Sequence, residues 1–219
     1  VPRREIPVLM TLSPDALLYG ILDLGYVERE RSVEVAEQLI LGGVSLLQLR
    51  AKGHDPETLL NLAKELTTLC SKHHVPFIVN DHVQLAKDCG APGLHLGQDD
   101  GSLDEARSIL GQHVLVGRST HSVAQAQAAL AEGADYIGFG PLFPTPTKKG
   151  RPGIGLENID IVEETVGYAI PVFCIGGIKP SNLAEVKAAG AKRVVIVSHL
   201  LKTADVAAET RNILKQLSL

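Results

Sequence analysis

The string EGADYIGF, residues 132–139, carries the pattern that decides the fold of this chain. It places a glycine directly after a helix-like stretch and an apolar, strand-like run two residues later. Three further strings repeat this order: GGVSLL at 42–47, CGAPGLHL at 89–96 and AGAKRVVI at 189–196. Glycine at such a position is typical of a helix end that turns back into a strand. The repeat therefore predicts helices and parallel strands in alternation.

Eight short apolar runs fit the strands of such a repeat, with segments of helical length between them. The runs are LLYGILD (17–23), VSLLQLR (44–50), PFIVND (76–81), GLHLGQ (93–98), VLVGRS (114–119), DYIGFG (135–140), PVFCIGG (171–177) and RVVIVS (193–198). Eight such units in 219 residues favour a closed (β/α)8 TIM barrel, a single domain over 1–219 with an N-terminal extension at 1–15. An open doubly wound sheet stays the alternative, because alternation alone does not prove closure.

Composition and charge narrow the class of function. A hydrophobic fraction of 45% and a charged fraction of 21% are those of an ordinary globular protein. The net charge of -4 argues against nucleic acid as a partner, and no apolar run approaches the roughly 20 residues that span a membrane. Three cysteines without a C-x-x-C pair predict free thiols. We expect a cytoplasmic protein acting on small molecules, and a homo-oligomer is compatible with the sequence.

The second predicted strand ends in QLRAK, residues 48–52. In a barrel, the chemistry belongs at the carboxyl ends of the strands. Alternation puts Gln48, Arg50 and Lys52 on one face, which points into the barrel mouth if the leucines face the helices. An amide and two cations suit a polyanion. Exposed charges beyond the strand end are the other interpretation.

The third and fourth strands end in VNDH and HLGQDD, residues 79–82 and 95–100. Asp81 and Asp100 would lie at the mouths of neighbouring strands, with backbones about 5 Å apart. Two carboxylates so close repel unless a proton or a cation lies between them. Mg²⁺ typically takes one or two carboxylates together with substrate phosphate oxygens. Asp99 could equally be the ligand, and Asp100 could instead cap the next helix.

The loop GPLFPTPTKKG, residues 140–150, follows the sixth strand. Thr145, Thr147, Lys148 and Lys149 offer donors and positive charge with no local carboxylate, a combination that suits a phosphate. A solvated turn is the alternative.

The last two strands end in IGGI (175–178) and VVIVSH (194–199). The loops after strands seven and eight form the common phosphate site of barrels. Gly176 or Gly177 with Ser198 is therefore a candidate site for a monophosphate, although either glycine could simply serve a tight turn.

The fifth strand ends in GRSTHS, residues 117–122. Ser119, Thr120 and His121 resemble a nucleophile and its base, but adjacent positions on a strand point apart and no G-x-S-x-G motif is present. The pattern favours a hydrogen-bonding wall for a polar heterocycle.

Seven motifs taken in order closely resemble the thiamine phosphate synthase family, from about Tyr19 to the C-terminal helix. They are QLRAK, FIVNDH, GLHLGQDD, GRSTHS, ADYIGFGPLFPTPTKKG, CIGGI and VVIVS. Members of that family join a hydroxymethyl-aminopyrimidine diphosphate to a thiazole phosphate and release pyrophosphate. The resemblance implies Mg²⁺ as cofactor, with Asp81 and Asp100 as its ligands, and this is what ranks Asp100 above Asp99.

The resemblance also implies a role for each remaining site residue. The pyrimidine diphosphate would be bound by Gln48, Arg50, Lys52, Asn80 and Lys148, and Ser119 would meet the pyrimidine. The thiazole phosphate would be bound by Thr145, Thr147, Gly177, Val197 and Ser198. Catalysis would rest on Arg50, Lys52, Asn80, Ser119 and Lys148, with the cations stabilising the departing pyrophosphate.

Two rival functions share these motifs in part. GRSTHS is also similar to a thiazole tautomerase-like branch, in which His121 would shuttle a proton, but that branch is not expected to keep NDH, QDD and PTPTKK together. A non-catalytic thiamine-phosphate-binding barrel would need the monophosphate site without paired aspartates. Arg118 departs from the aliphatic residue more usual before Ser119, and alternation faces it toward the helices, where it can pair with an acid.

Overall fold

The computed structural model describes residues 12–145 and 152–218, and these form a closed barrel of eight parallel strands. The strands are β1 (Leu18–Asp23), β2 (Leu46–Arg50), β3 (Phe77–Asn80), β4 (Gly93–Leu96), β5 (Leu115–Thr120), β6 (Tyr136–Phe139), β7 (Val172–Ile175) and β8 (Val194–Val195). Each strand pairs with the next in the chain, and β8 pairs with β1. The (β/α)8 barrel is confirmed, and the open-sheet alternative is wrong. The bounds of the domain and of the extension at 1–15 stay predictions.

Helices cover the outside of the barrel. They are α1 (Ser32–Gly42), α2 (Pro56–Lys72), α3 (Val83–Cys89), α4 (Leu103–Leu110), α5 (Val123–Ala131), α6 (Ile159–Thr165), α7 (Pro180–Ala188), α8 (Ser198–Lys202) and α9 (Val206–Ser218). The predicted glycines after α1, α3, α5 and α7 all have left-handed φ values: Gly43 at 101°, Gly90 at 68°, Gly133 at 82° and Gly190 at 102°. The repeat thus marks the turns that return the chain to the barrel.

The cap of α4 decides one alternative left open by the sequence. Ser102 is the N-cap, and its side chain accepts a hydrogen bond from the N–H of Glu105 while the Glu105 carboxylate accepts one from the N–H of Ser102. This reciprocal pair is a capping box. The interpretation of Asp100 as a helix cap is therefore wrong.

Alternating side chains along the strands fill the barrel interior with rings and small residues. Tyr19, Tyr136 and Phe173 meet edge to face, with ring centroids 5.3–5.9 Å apart. The Tyr136 ring occupies the space that a side chain at Gly117 would need. Leu18 and the other outward-facing residues pack under the helices. This packing fills the barrel interior below the carboxyl ends of the strands, where the ligand sites of this fold lie.

The three cysteines are free and buried, as predicted: Cys70, Cys89 and Cys174. Burial raises the pKa of Cys70 and of Cys174 to about 12, so both thiols stay protonated at neutral pH. Within 12–145 and 152–218, no helix combines the length and the apolar character needed to cross a membrane.

Candidate active site

A cleft opens at the carboxyl ends of the strands, and the empty space in and in front of it, open solvent included, is about 830 Å³. Its lining includes many of the predicted site residues: Gln48, Arg50, Asn80, Ser119, Thr145, Gly177, Val197 and Ser198. Two further predicted residues, Thr147 and Lys148, lie outside the described residues. Residues far apart in sequence are thus brought to one cleft, as the strand-end analysis requires. Ser198 differs from expectation only in beginning α8, because β8 is short.

Arg50 is held by a carboxylate that the sequence analysis did not single out. The last residue of β1, Asp23, lies beside Arg50 in the strand register, and the Asp23 Oδ2 atom is 2.5 Å from the Arg50 Nη1 atom. The Asp23 side chain is 3% exposed, and its Oδ1 atom also accepts a hydrogen bond from the N–H of Gly25 at 2.9 Å. Asp23 therefore fixes the guanidinium at the wall of the cleft.

Asp81 and Asp100 contact each other in the loops that follow β3 and β4. Neither is among the described residues that line the cleft, although Asn80, next to Asp81, is. Asp81 follows β3 in the left-handed region with φ 65°, inside a three-residue turn closed by the N–H of His82 and the carbonyl of Asn80 at 2.8 Å. Such a φ value is uncommon outside glycine, and residues held this way concentrate at functional sites. The Lys52 ammonium lies 3.2 Å from the Asp81 carboxylate. Asp99 is exposed, so the structure favours Asp100 as the second carboxylate.

The pKa values of the two carboxyl groups are shifted in opposite directions. Burial raises the pKa of Asp81, and the hydrogen bond and negative charge of Asp100 raise it further, while Lys52 lowers it. Burial alone would also raise the pKa of Asp100, but the hydrogen bond from Asp81 and the N–H of Gly97 bring it below its ordinary value. Asp81 therefore takes up a proton before Asp100 does. A divalent cation that displaced it would relieve the repulsion between the two ionised groups.

A chain of buried polar side chains crosses the floor of the cleft. Gln48 donates to the Tyr19 hydroxyl at 2.6 Å, and the hydroxyls of Tyr19 and Tyr136 lie 3.0 Å apart. The His95 ring then contacts the Tyr136 hydroxyl through Nδ1 at 3.3 Å and the Ser119 hydroxyl through Nε2 at 2.9 Å. Burial raises the pKa of both tyrosines, so both hydroxyls keep their hydrogens.

Two directions of donation fit these contacts, because a hydroxyl and a histidine nitrogen can each donate or accept. In the first direction, both tyrosine hydrogens point toward His95. Tyr19 accepts from Gln48 and donates to Tyr136, which donates to His95 Nδ1. The His95 Nε2–H group then donates to the oxygen of Ser119, whose own hydrogen is directed elsewhere. The sequence analysis missed these tyrosines and the histidine. Alternation along the strands could have identified two of them, because Tyr19 in β1 and His95 in β4 occupy positions whose side chains point into the barrel.

The far end of the cleft is built around two glycines. Gly176 and Gly177 have φ values of 101° and 68°. A side chain at 176 would collide with Pro141, and one at 177 would approach the Cβ atom of Phe143 to 2.7 Å. Both glycines are therefore required by the turn, whatever they bind. Beyond them the cleft runs into an open groove lined also by Lys179, Ser198 and Lys202.

Two residues near Ser119 in the sequence, Arg118 and His121, occupy different environments. Arg118 turns outward and pairs with the Glu132 carboxylate at 3.4 Å, as the alternation predicts. His121 lines the cleft, and its Nδ1 atom contacts the carbonyl of Gly140. Because a carbonyl only accepts, Nδ1 carries the hydrogen and Nε2 is the acceptor in the neutral ring.

Comparison with known proteins identifies the family. The model of the thiamine monophosphate synthase family matches residues 18–200, from the first residue of β1 into α8. The chain belongs to this family. It is 42% identical over 189 residues to the thiamine-phosphate synthase of Thermosynechococcus vestitus, covering 86% of this chain and 53% of that protein.

Other members of the synthase family match over their whole length. The thiamine-phosphate synthase of Pelotomaculum thermopropionicum is 39% identical over 212 residues, covering 96% of this chain and 94% of that protein. The solved thiamine phosphate pyrophosphorylase from Pyrococcus furiosus superimposes with a TM-score of 0.81 at 30% identity, covering 93% and 97% of the two chains. By contrast, the chain spans a little over half the length of the first curated relatives it matches.

Proposed function

We propose that this chain condenses hydroxymethyl-aminopyrimidine diphosphate with a thiazole phosphate to form thiamine phosphate and pyrophosphate. One observation carries the proposal: Asp81 and Asp100 contact each other in the loops after β3 and β4, next to a cleft whose wall presents Arg50 and Asn80. A diphosphate leaves more readily as pyrophosphate when cationic side chains and a divalent ion neutralise the charge that develops on it. Membership of the thiamine monophosphate synthase family supports the same activity.

Mg²⁺ is the cofactor we infer, held by Asp81 and Asp100. The fit rests on the raised pKa of Asp81, which burial and the neighbouring Asp100 cause and which a bound cation would reverse. The part of the chain described here contains no group of three or more His, Cys, Asp or Glu ligands. Diphosphate and water oxygens would complete a Mg²⁺ site of this kind. When bound, the ion would neutralise charge on the leaving pyrophosphate.

The cationic side chains are proposed to bind the diphosphate and stabilise its departure. The bond between the pyrimidine methylene carbon and the diphosphate oxygen breaks, and pyrophosphate leaves with the electron pair. The thiazole nitrogen then forms the new bond with its own lone pair, so no base need remove a proton from it. Arg50 is oriented for this task by Asp23, and Lys52 by Asp81. Losing one such cation would raise the barrier by about 3–4 kcal/mol.

The buried polar chain is proposed to recognise the aminopyrimidine. Ser119 is held by His95 and lines the cleft, and with His95 Nε2–H as the donor its own O–H is directed to a ring nitrogen there. Gln48 is held through Tyr19 on the opposite side. A site that hydrogen-bonds a ring from two sides rejects analogues that lack the matching donors and acceptors.

The thiazole phosphate is proposed to bind at the far end, near Thr145, Gly177, Val197 and Ser198. Support comes from the two lysines, Lys179 and Lys202, in the adjoining groove of a protein whose net charge is negative. The loops after β7 and β8 are the usual phosphate site of this fold. Thr147, proposed for the same phosphate, and Lys148, proposed for the diphosphate, lie outside the described residues.

The test is an incubation with both substrates and Mg²⁺, followed by quantification of pyrophosphate and thiamine phosphate. We expect both products in equal amounts and neither with Asp81→Asn. A second candidate is isomerisation of a thiazole phosphate, favoured by the position of His121 in the cleft with Nε2 as acceptor. Isomerisation of the thiazole phosphate alone, without pyrophosphate release from the complete mixture, would replace the synthase proposal by this one.

A further inference from the structure

Arg118 is a buried cation with an unusual set of partners. It lies on β5, is 6% exposed and points away from the cleft that its neighbour Ser119 lines. Its Nη1 atom donates to two backbone carbonyls, those of Gly97 at 2.7 Å and Gly101 at 2.9 Å. The pair with Glu132 at 3.4 Å is longer and reaches the surface. The carbonyls are therefore the main anchors of this guanidinium.

These two carbonyls flank the loop between β4 and α4, which carries Asp100. Inside the loop, the N–H of Gly97 donates to the Asp100 carboxylate at 2.7 Å, and the N–H of Asp100 faces the Gly97 carbonyl at 3.4 Å. A side chain at 97 would come within 2.5 Å of the Asp100 carboxylate, so glycine is needed for this approach. One nitrogen of Arg118 thus ties both ends of a turn folded around Asp100.

We propose that Arg118 is a positioning residue that holds the Asp100 carboxylate against Asp81 and so builds the divalent-cation site. The inference rests on the proposed function, because it takes Asp81 and Asp100 as the Mg²⁺ ligands. Arg118 acts through the loop and contributes no ligand of its own. Groups that hold a ligand in place typically contribute a factor of about 10 to 100 to metal affinity.

The charge of Arg118 and its positioning role predict opposite effects. A guanidinium near a cation site repels the incoming ion, so removing its charge alone would tighten binding. Removing its two hydrogen bonds frees the loop and would weaken binding, because Asp100 must be ordered again when the ion arrives. The sign of the change in affinity therefore separates the two effects.

The experiment is a titration of the full chain with Mn²⁺ in the presence of inorganic pyrophosphate. Electron paramagnetic resonance measures the bound and free Mn²⁺. The variants are Arg118→Leu, Arg118→Lys and the control Arg107→Leu. Arg107 makes a matched pair of contacts, to the Gly133 carbonyl and to Asp135, both at 2.8 Å, and contacts no residue of the loop. Hydrogen exchange of the amides at 97–101 reports on the loop itself.

We expect Arg118→Leu to weaken Mn²⁺ binding about 10-fold, and Arg118→Lys by less, since one ammonium keeps the charge but reaches the carbonyls less well. Exchange at 97–101 should accelerate in Arg118→Leu and stay unchanged in Arg107→Leu. In turnover, higher Mg²⁺ should restore kcat. If Arg118→Leu does not fold, Arg118→Lys gives the affinity change.

Three results would overturn the proposal. The first is unchanged or tighter Mn²⁺ binding in the Arg118 variants. The second is a loss of Mn²⁺ affinity in Arg107→Leu as large as that in Arg118→Leu. Neither of these two results would affect the proposed function. If Asp81→Asn leaves Mn²⁺ binding unaffected, the metal site itself is wrong and the role of Arg118 falls with it.

Discussion

Replacing Asp23 by asparagine separates the orientation of Arg50 from its charge. The Asp23 and Arg50 side chains are 3% and 13% exposed, and Asp23 also accepts the N–H of Gly25. Removing one partner of a buried ion pair costs about 3–5 kcal/mol. Asparagine keeps one neutral acceptor, and water in the cleft reaches Arg50, so we expect a smaller loss of about 2 kcal/mol, below that range. In a chain of this length, this corresponds to a melting temperature lower by about 4–8 °C.

We expect Asp23→Asn to lower kcat/KM, whereas the change in charge alone would raise it. Neutralising Asp23 makes the cleft more positive, and charge alone would then strengthen binding of a diphosphate. If orientation dominates, kcat/KM for the pyrimidine diphosphate falls about 10- to 100-fold. The assay is steady-state release of pyrophosphate with the thiazole phosphate saturating, alongside thermal unfolding of the same preparation.

Asp135→Asn is the matched control for this experiment. Asp135 accepts one backbone N–H, from Val116 at 2.7 Å, and one guanidinium, from Arg107 at 2.8 Å, but lies before β6 at the opposite end of the barrel. Its replacement should alter stability and leave kcat/KM unchanged. If Asp23→Asn loses stability yet keeps kcat/KM within about 2-fold of wild type, or raises it, Asp23 does not position a substrate-binding arginine.

Three further substitutions test separate parts of the site. Asp81→Asn removes one of two carboxylates that repel each other, at a φ of 65° that asparagine tolerates. The melting temperature should therefore hold or rise, while pyrophosphate release falls at least about 100-fold. A variant that is less stable but still active would contradict this. Tyr136→Phe removes the hydroxyl that the Tyr19 hydroxyl and the His95 ring both contact. The free energy of unfolding, measured in urea, should fall by about 1–3 kcal/mol for each of these buried groups. An unchanged free energy of unfolding would refute the buried chain. Gly177→Ala forces a side chain into φ 68°, and we expect about 1–3 kcal/mol lower stability with a higher KM for the thiazole phosphate; an unchanged KM would remove Gly177 from that site.

The architecture could be predicted because it depends on local signals. The glycine after each helix and the apolar run that follows specify one βα unit, and eight such units leave little choice of topology. The strand-end rule then placed Gln48, Arg50 and Asn80 in one cleft, since alternation along a single strand settles which side chains point inward.

The partners of these residues could not be predicted in the same way. Asp23 pairs with Arg50 because β1 and β2 align in one particular register, and a sequence does not state which residues of two strands lie side by side. His95 and Tyr136 likewise meet only across β4, β5 and β6. Conversely, Ser198 reached the predicted site although β8 ends at Val195, because the loop brings it there.

Calorimetric titration with inorganic pyrophosphate, with and without Mg²⁺, tests most directly whether these strand ends form one diphosphate site. The account predicts binding that requires Mg²⁺ and that weakens at least about 10-fold in both Asp81→Asn and Asp23→Asn. Binding of equal strength without Mg²⁺, or unchanged in both variants, would contradict it.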